Sequence, residues 1–97
     1  GRNIMKRVVK YGAPWCGPCV MMEDILESLS KEFPDVEFES VDISLPENEC
    51  ILSDLKIVAI PTIVLYKDGE IVSKTTGALS LPALRTLIVD LLEGKHE

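Results

Sequence analysis

Two cysteines separated by two residues, Cys16 and Cys19, are the side chains of this 97-residue sequence best suited to chemistry. Positions i and i+3 on the first turn of a helix bring their Cα atoms within the roughly 4.4–6.8 Å that a disulfide requires. A pair of thiols at this spacing also occurs in zinc sites. Three interpretations therefore stand at this point: a reversible redox couple, half of a metal site, or an inert structural disulfide.

The remaining metal-binding side chains make the zinc interpretation the weaker one. Zinc takes four ligands, and only Cys50 and His96 are left to complete a set, both far away in the sequence. We expect His96 to lie in a frayed tail and Cys50 to be a small buried residue of a helix. Redox chemistry is therefore preferred, with no metal and no other bound cofactor.

The start of a helix would give the two sulfurs different roles. If Cys16 lies at or just before the helix, the free N–H groups and the helix dipole stabilise its thiolate and lower its pKa below the ~8.5 of a free thiol. The thiolate is the form that attacks a disulfide. Cys19, one turn deeper and better shielded, would then be the resolving thiol. Trp15 offers an apolar surface beside the sulfur, and Pro18 stiffens the first turn.

The hydrophobic pattern predicts the elements that must position these cysteines. The predicted elements are strands over 5–11, 36–43, 62–66 and 71–76, helices over about 18–32 and 44–55, and a last helix capped by Ser80 and stopped at Gly94. Ser44 and Glu47 have the spacing of a capping box, which would begin the short second helix and bury Ile51, Leu52 and Leu55. Asp68 and Gly69 predict a tight hairpin turn between the last two strands.

The order β-α-β-α-β-β-α predicts an α/β fold. The βαβ unit implies a parallel pair of strands and the hairpin an antiparallel pair, so the four-stranded sheet is mixed, with helices on both faces. We expect one domain over about 4–94, because the length allows a single modest core.

Composition excludes several classes of partner. The formal net charge is −6, so nothing draws the chain electrostatically to nucleic acid or anionic membranes. No apolar run approaches the ~18–20 residues of a membrane span, and none follows the basic residues near the start as a secretory signal would. We expect a monomer that binds neither nucleic acid nor membrane.

Four short motifs, in order along the chain, resemble those of the thioredoxin family. They are Trp15-Cys16-Gly17-Pro18-Cys19, similar to the active-site pentapeptide; Ile60-Pro61-Thr62, similar to the cis-proline loop; Lys67-Asp68-Gly69-Glu70, similar to the hairpin; and Gly77-Ala78-Leu79-Ser80, similar to the segment before the last helix. The resemblance extends over about 5–93 and is specific because the pentapeptide and the Ile-Pro-Thr motif occur together.

The resemblance implies a protein-disulfide reductase of the thioredoxin fold. Cys16 would be the nucleophile and Cys19 the resolving thiol, and an NADPH-dependent thioredoxin reductase would regenerate the dithiol. Ile60, Pro61 and Ala78, with Trp15, Gly17 and Pro18, would line the groove for disulfide-containing protein substrates. The Ile60–Pro61 bond is expected to be cis. The reducing cytoplasm is the expected compartment.

The sequence departs from the family pattern in three places. The usual opening strand and helix are lacking, so the chain resembles the small, glutaredoxin-sized thioredoxins. Lys10 stands where the larger members carry a buried aspartate. If Lys10 points inward, its charge should lower the pKa of the Cys19 thiol; if it points outward, it has no such effect. The stretch over 42–61 is a few residues longer than usual.

Two other functions remain open from the sequence. One is a glutathione-dependent, glutaredoxin-like reductase, which the short N-terminus fits and the Trp-Cys-Gly-Pro-Cys motif does not. The other is a non-catalytic subunit that uses the same fold to bind a partner, against which the intact Cys16 and Cys19 argue.

Overall fold

Four strands and three α-helices follow one another in the predicted order within residues 6–94, the part of the chain that the computed structural model describes. Met5, the predicted start of the first strand, the first residues of the expected domain, and His96 lie outside the described residues. The elements are β1 (Lys6–Gly12), α1 (Gly17–Glu32), β2 (Glu37–Asp42), a 3₁₀ turn (Pro46–Asn48), α2 (Glu49–Asp54), β3 (Thr62–Lys67), β4 (Glu70–Thr76) and α3 (Leu81–Leu92).

The four strands form one mixed sheet in the order β2-β1-β3-β4. β1 is parallel to β2 and antiparallel to β3, and β3 is antiparallel to β4. Asp68 and Gly69 connect the last two strands, and both have a positive φ, as a two-residue hairpin turn with the favoured twist requires. The mixed sheet predicted from the element order is therefore confirmed.

The two central strands are covered on both faces, because their side chains alternate between two apolar clusters. The larger cluster, between the sheet and helices α1 and α3, consists of Val8, Met22, Leu26, Leu29, Val36, Ile63, Leu65, Leu84, Ile88 and Leu91. On the opposite face, Val9, Tyr11 and Val64 pack with residues of α2. Helices on both faces are thus confirmed.

The last helix is capped as its sequence predicts. The Ser80 hydroxyl accepts a hydrogen bond from the Ala83 main-chain N–H at 3.2 Å, and α3 ends at Leu92, just before Gly94. Leu84, Ile88 and Leu91 form its buried stripe, while Leu87 is only partly buried.

The capping box predicted at Ser44 is wrong. The Ser44 hydroxyl and main-chain N–H both donate to the Asp42 carboxylate, at 2.6 and 2.9 Å, so a local turn takes up the side chain that was expected to cap the helix. A 3₁₀ turn follows, and α2 begins only at Glu49.

Burial along α2 also differs from the prediction. Ile51, Leu52 and Leu55 are half-buried, because a helix of six residues covers only part of the sheet. Cys50, predicted to be buried, is an exposed free cysteine, since Ile51 and Leu55 occupy the face that packs on the sheet.

Candidate active site

Cys16 and Cys19 form a disulfide at the start of α1, with their Cα atoms 5.2 Å apart. Cys16 is the residue that caps this helix: its Sγ accepts a hydrogen bond from the Cys19 main-chain N–H at 3.2 Å. Only 8% of Cys16 and 0% of Cys19 is exposed to solvent. The disulfide can therefore be approached from outside only at Cys16.

The electrostatic setting of Cys16 favours a negative charge on its sulfur. The free N–H groups at the start of α1 face the sulfur, and the helix dipole has its positive end there. The first turn of α1 carries no acidic side chain to oppose this effect. Once the disulfide is reduced, this environment stabilises the thiolate on which thiol–disulfide exchange depends.

The Ile60–Pro61 peptide bond is cis, as the sequence resemblance implies. Ile60 packs against the cluster that Ala13, Cys16 and Cys19 form, and Pro61 is fully buried. The carbonyl oxygen of Pro61 accepts a hydrogen bond from the Gly77 main-chain N–H at 2.7 Å. This bond ties the segment that precedes α3, with the exposed Ala78, to the loop beside the dithiol.

The surface around Cys16 carries exposed apolar side chains. Trp15, the residue before the nucleophile candidate, is 72% exposed, and Gly17 and Pro18 are exposed on the other side of Cys16.

Lys10 points inward, the first of the two orientations considered from the sequence. The residue is 5% exposed, and its Nζ donates to the main-chain oxygen of Cys19 at 2.8 Å. The same ammonium forms an ion pair with Glu23, which also accepts a hydrogen bond from the Ser40 hydroxyl at 3.0 Å. The Lys10 hydrogen bond, assisted by Ser40, holds the pKa of the Glu23 carboxyl below its ordinary value despite partial burial.

Three residues were not among the candidates predicted from the sequence: Gly12, which lies against Cys19, and Glu23 and Ser40, which are linked to Lys10. Glu23 follows Cys19 by four residues on α1, a spacing that places both on one face of the helix. Gly12 follows Lys10 by two residues on β1, so both point to the same side of the sheet. These two spacings were signals in the sequence, whereas Ser40 reaches Glu23 only through the pairing of β1 with β2.

Because Gly12 has no side chain, the side chain of Cys19 can occupy the space beside it. A Cβ on residue 12 would lie 2.7 Å from Cys19 Sγ and 3.0 Å from Cys19 Cβ, closer than such atoms pack. In the Gly12→Ala variant we expect the disulfide to be displaced and the free energy of unfolding of the oxidised protein to fall by about 1–3 kcal/mol. Denaturant unfolding of the oxidised protein measures this change.

Gly17→Ala is the matched control for this overpacking. A Cβ on residue 17 meets nothing within 4 Å, so its stability should change by less than about 0.5 kcal/mol. Equal stabilities for the Gly12→Ala and Gly17→Ala proteins would show that the close approach at Cys19 costs nothing.

No group of three or more His, Cys, Asp or Glu side chains within residues 6–94 is arranged to hold a metal ion. The helices described for this chain are also too short or too polar to cross a membrane.

Comparisons with known proteins agree on one family. A family model described as Thioredoxin matches residues 2–90. The chain is 40% identical over 81 residues to "Thioredoxin-3, mitochondrial" of Saccharomyces cerevisiae, covering 79% of this chain and 62% of that protein. It is 35% identical over 86 residues to the thioredoxin of Mycolicibacterium smegmatis, covering 88% of this chain and 77% of the relative.

Solved structures show the same similarity. One chain comes from a study of "the thiol resolving mechanism in yeast mitochondrial 1-Cys peroxiredoxin via glutathione/thioredoxin systems". It superimposes with a TM-score of 0.79 at 38% sequence identity, covering 89% of this chain and 78% of that one.

Proposed function

The chain belongs to the thioredoxin family, and from that premise we propose that it is a protein-disulfide reductase working by dithiol–disulfide exchange. The observation that carries this proposal is the Cys16–Cys19 disulfide at the start of α1, with Cys16 slightly exposed and Cys19 fully enclosed. A single domain over about 4–94 performs the reaction.

The reaction proceeds in two exchanges. The Cys16 thiolate attacks one sulfur of a target disulfide, forming a mixed disulfide and releasing the other target sulfur as a thiolate that takes a proton from water. The Cys19 thiolate then attacks Cys16 Sγ, closing the ring and releasing the second target sulfur. Two electrons pass from the dithiol to the target, which leaves as a dithiol.

The substrate lies across the exposed apolar surface around Cys16. Trp15, Gly17 and Pro18 form one side of this surface, and Ile60 and Ala78 form the other. Pro61 is buried and supports the Ile60 loop through its hydrogen bond with Gly77. The hydrogen bond between Pro61 and Gly77 and the packing of Ile60 on the dithiol support this arrangement. The substrates are proteins with accessible disulfides; the study of the structural neighbour concerns a related exchange, thiol resolution in a peroxiredoxin.

An NADPH-dependent thioredoxin reductase returns electrons to the oxidised protein, and the chain needs no cofactor of its own. The working form is a monomer in a reducing compartment, the cytoplasm. An exposed free thiol at Cys50 fits such a compartment, because thiols of this kind stay reduced there. The yeast relative is mitochondrial, so the compartment does not follow from the chemistry alone.

Insulin reduction with two sources of electrons tests the proposed function. With NADPH and a thioredoxin reductase, we expect catalytic precipitation of reduced insulin. With glutathione, NADPH and glutathione reductase, we expect a rate at least about tenfold lower, because the exposed side chains beside Cys16, such as Trp15 and Pro18, are apolar and suit a protein chain. Faster turnover with glutathione would establish the glutaredoxin-like alternative instead.

A binding subunit without turnover would reduce insulin with neither electron source. In that case a Cys16→Ser/Cys19→Ser double variant would retain the full function of the protein in cells. We expect that double variant to be inactive both in the assay and in cells.

A further inference from the structure

Cys19 is closed off from solvent, and this creates a difficulty for the second exchange. Its exposed fraction is 0%, yet its thiol must lose a proton before its sulfur can attack Cys16. Burial in an apolar setting favours the neutral thiol over the thiolate. A nearby charged group or a route for the proton must therefore offset this cost.

The charged and titratable groups that face Cys19 within the described residues come from three elements. β1 contributes Lys10, α1 contributes Cys16 and Glu23, and β2 contributes Asp42 at the rim of the adjoining cavity. The loop around Ile60 contributes only an apolar contact to this cluster. Lys10 is thus the cation nearest to Cys19 in this part of the chain, and Glu23 is the anion paired with it.

Lys10 is hydrogen-bonded to the backbone of Cys19, and its side chain approaches the Cys19 sulfur. Its Nζ donates to the Cys19 carbonyl oxygen at 2.8 Å. Its Cε and the Cys19 Sγ lie 3.7 and 2.7 Å from one point, the position that a Cβ on Gly12 would take. The lack of a side chain at Gly12 therefore lets the sulfur and the lysine share one small space.

A cavity connects this space to solvent. It has a volume of about 320 Å³, and Lys10, Gly12 and Glu23 line it together with Val20 and Asp42. The Glu23 side chain is 51% exposed, so the carboxylate stands between the buried ammonium and the solvent.

We propose that Lys10 and Glu23 act as a proton-handling pair for Cys19: the Lys10 ammonium stabilises the Cys19 thiolate, and Glu23 is the positioning residue that holds the ammonium in place and limits its effect. The proposal rests on the proposed function. In the second exchange the Cys19 proton leaves to solvent through the cavity, the Cys19–Cys16 sulfur bond forms, and the bond from Cys16 to the substrate breaks. Ser40 supports the pair by donating to the Glu23 carboxylate.

The proposal predicts opposite pH shifts for two substitutions. In Lys10→Met, the second exchange should be about tenfold slower at pH 7, and its pH midpoint should move upward, because the cation is gone. In Glu23→Gln, the ammonium keeps its hydrogen bonds but loses its counter-charge, so the midpoint should move downward. Lys10→Arg, which keeps the charge, should shift the midpoint less than Lys10→Met does.

Single-turnover oxidation of the reduced protein by a disulfide peptide measures this step. Trp15 is the single tryptophan of the sequence and precedes Cys16, so its fluorescence follows the reaction. In a Cys19→Ser background the same experiment reports the first exchange alone, and we expect that rate to change less than about twofold in either variant. Comparison of the two backgrounds isolates the second exchange.

Lys31 and Glu27 provide a matched control, because they form an exposed ion pair further along the same helix. Lys31→Met and Glu27→Gln should leave both exchanges and their pH profiles unchanged. The proposal would be overturned if the pH midpoint of the second exchange stayed in place in Lys10→Met and Glu23→Gln, or moved in the same direction in both. If Lys10→Met does not fold, the Glu23→Gln profile decides: a downward shift supports the pair, and no shift or an upward shift refutes it.

The two levels of inference fail in different ways. A protein that does not reduce insulin at all would refute the proposed function. Normal insulin reduction together with unmoved pH profiles would refute only the role of Lys10 and Glu23.

Discussion

The Cys16→Ser protein should lose insulin reduction entirely, a decrease of at least about 10³-fold. The hydroxyl of serine at the same helix start remains protonated at neutral pH, and it forms no disulfide with a target sulfur. Cys19 cannot take over the attack, because none of its surface is exposed. The measurement is the rate of insulin precipitation with dithiothreitol as the electron source, relative to the rate without protein.

Circular dichroism should accompany this assay, because the Cys16→Ser protein must be shown to be folded. Cys50→Ser is the matched control: Cys50 is an exposed thiol on α2, outside the dithiol cluster, and its loss should leave the rate unchanged. Appreciable turnover by the Cys16→Ser protein would mean that another residue is the nucleophile. A loss of activity in Cys50→Ser would place that residue in the reaction.

The second large effect is expected in Cys19→Ser, and it differs in kind. Cys16 keeps its place at the start of α1 and still attacks a target disulfide, but no second sulfur is one turn away to release the product. Turnover should therefore stop after one event, and the protein should accumulate as a covalent complex with its substrate. Intact mass spectrometry of the quenched reaction measures the fraction of protein in this complex.

The critical result is which of the two serine variants forms the stable complex with the substrate. Most of the Cys19→Ser protein should carry the substrate through Cys16 within the time in which the unchanged protein completes many turnovers. Treatment with dithiothreitol should release it. If Cys16→Ser formed the stable complex and Cys19→Ser did not, the roles assigned to the two sulfurs would be reversed.

The sequence predicted most of the fold because apolar residues are spaced regularly in it. The helical spacing of Met22, Leu26 and Leu29 predicted α1, and these residues are buried in the main core. The apolar run over 62–66 predicted β3, and its residues Ile63 and Val64 pack in the clusters on the two opposite faces of the sheet. Such patterns predict structure reliably because most residues on the buried face of a helix or strand must be apolar.

The hydrogen-bond partners of individual polar side chains were harder to predict. Ser44 had two partners in reach, the N–H groups of a helix and the Asp42 carboxylate, and the sequence does not rank them. The orientation of Lys10 depended on whether a counter-charge would be available inside the fold. That charge comes from Glu23, 13 residues later in the chain, and only the packing of α1 on β1 brings the two together.

The difference in depth between Cys16 and Cys19 also bears on which disulfides the proposed reductase can reach. A recessed Cys16 can be reached by a disulfide on a protruding or loosened segment, because such a segment can be laid over the helix start. A disulfide held rigidly inside a compact domain cannot approach it so closely. We therefore expect the proposed reductase to open the cross-links of chains that are still unsettled faster than those of finished structures.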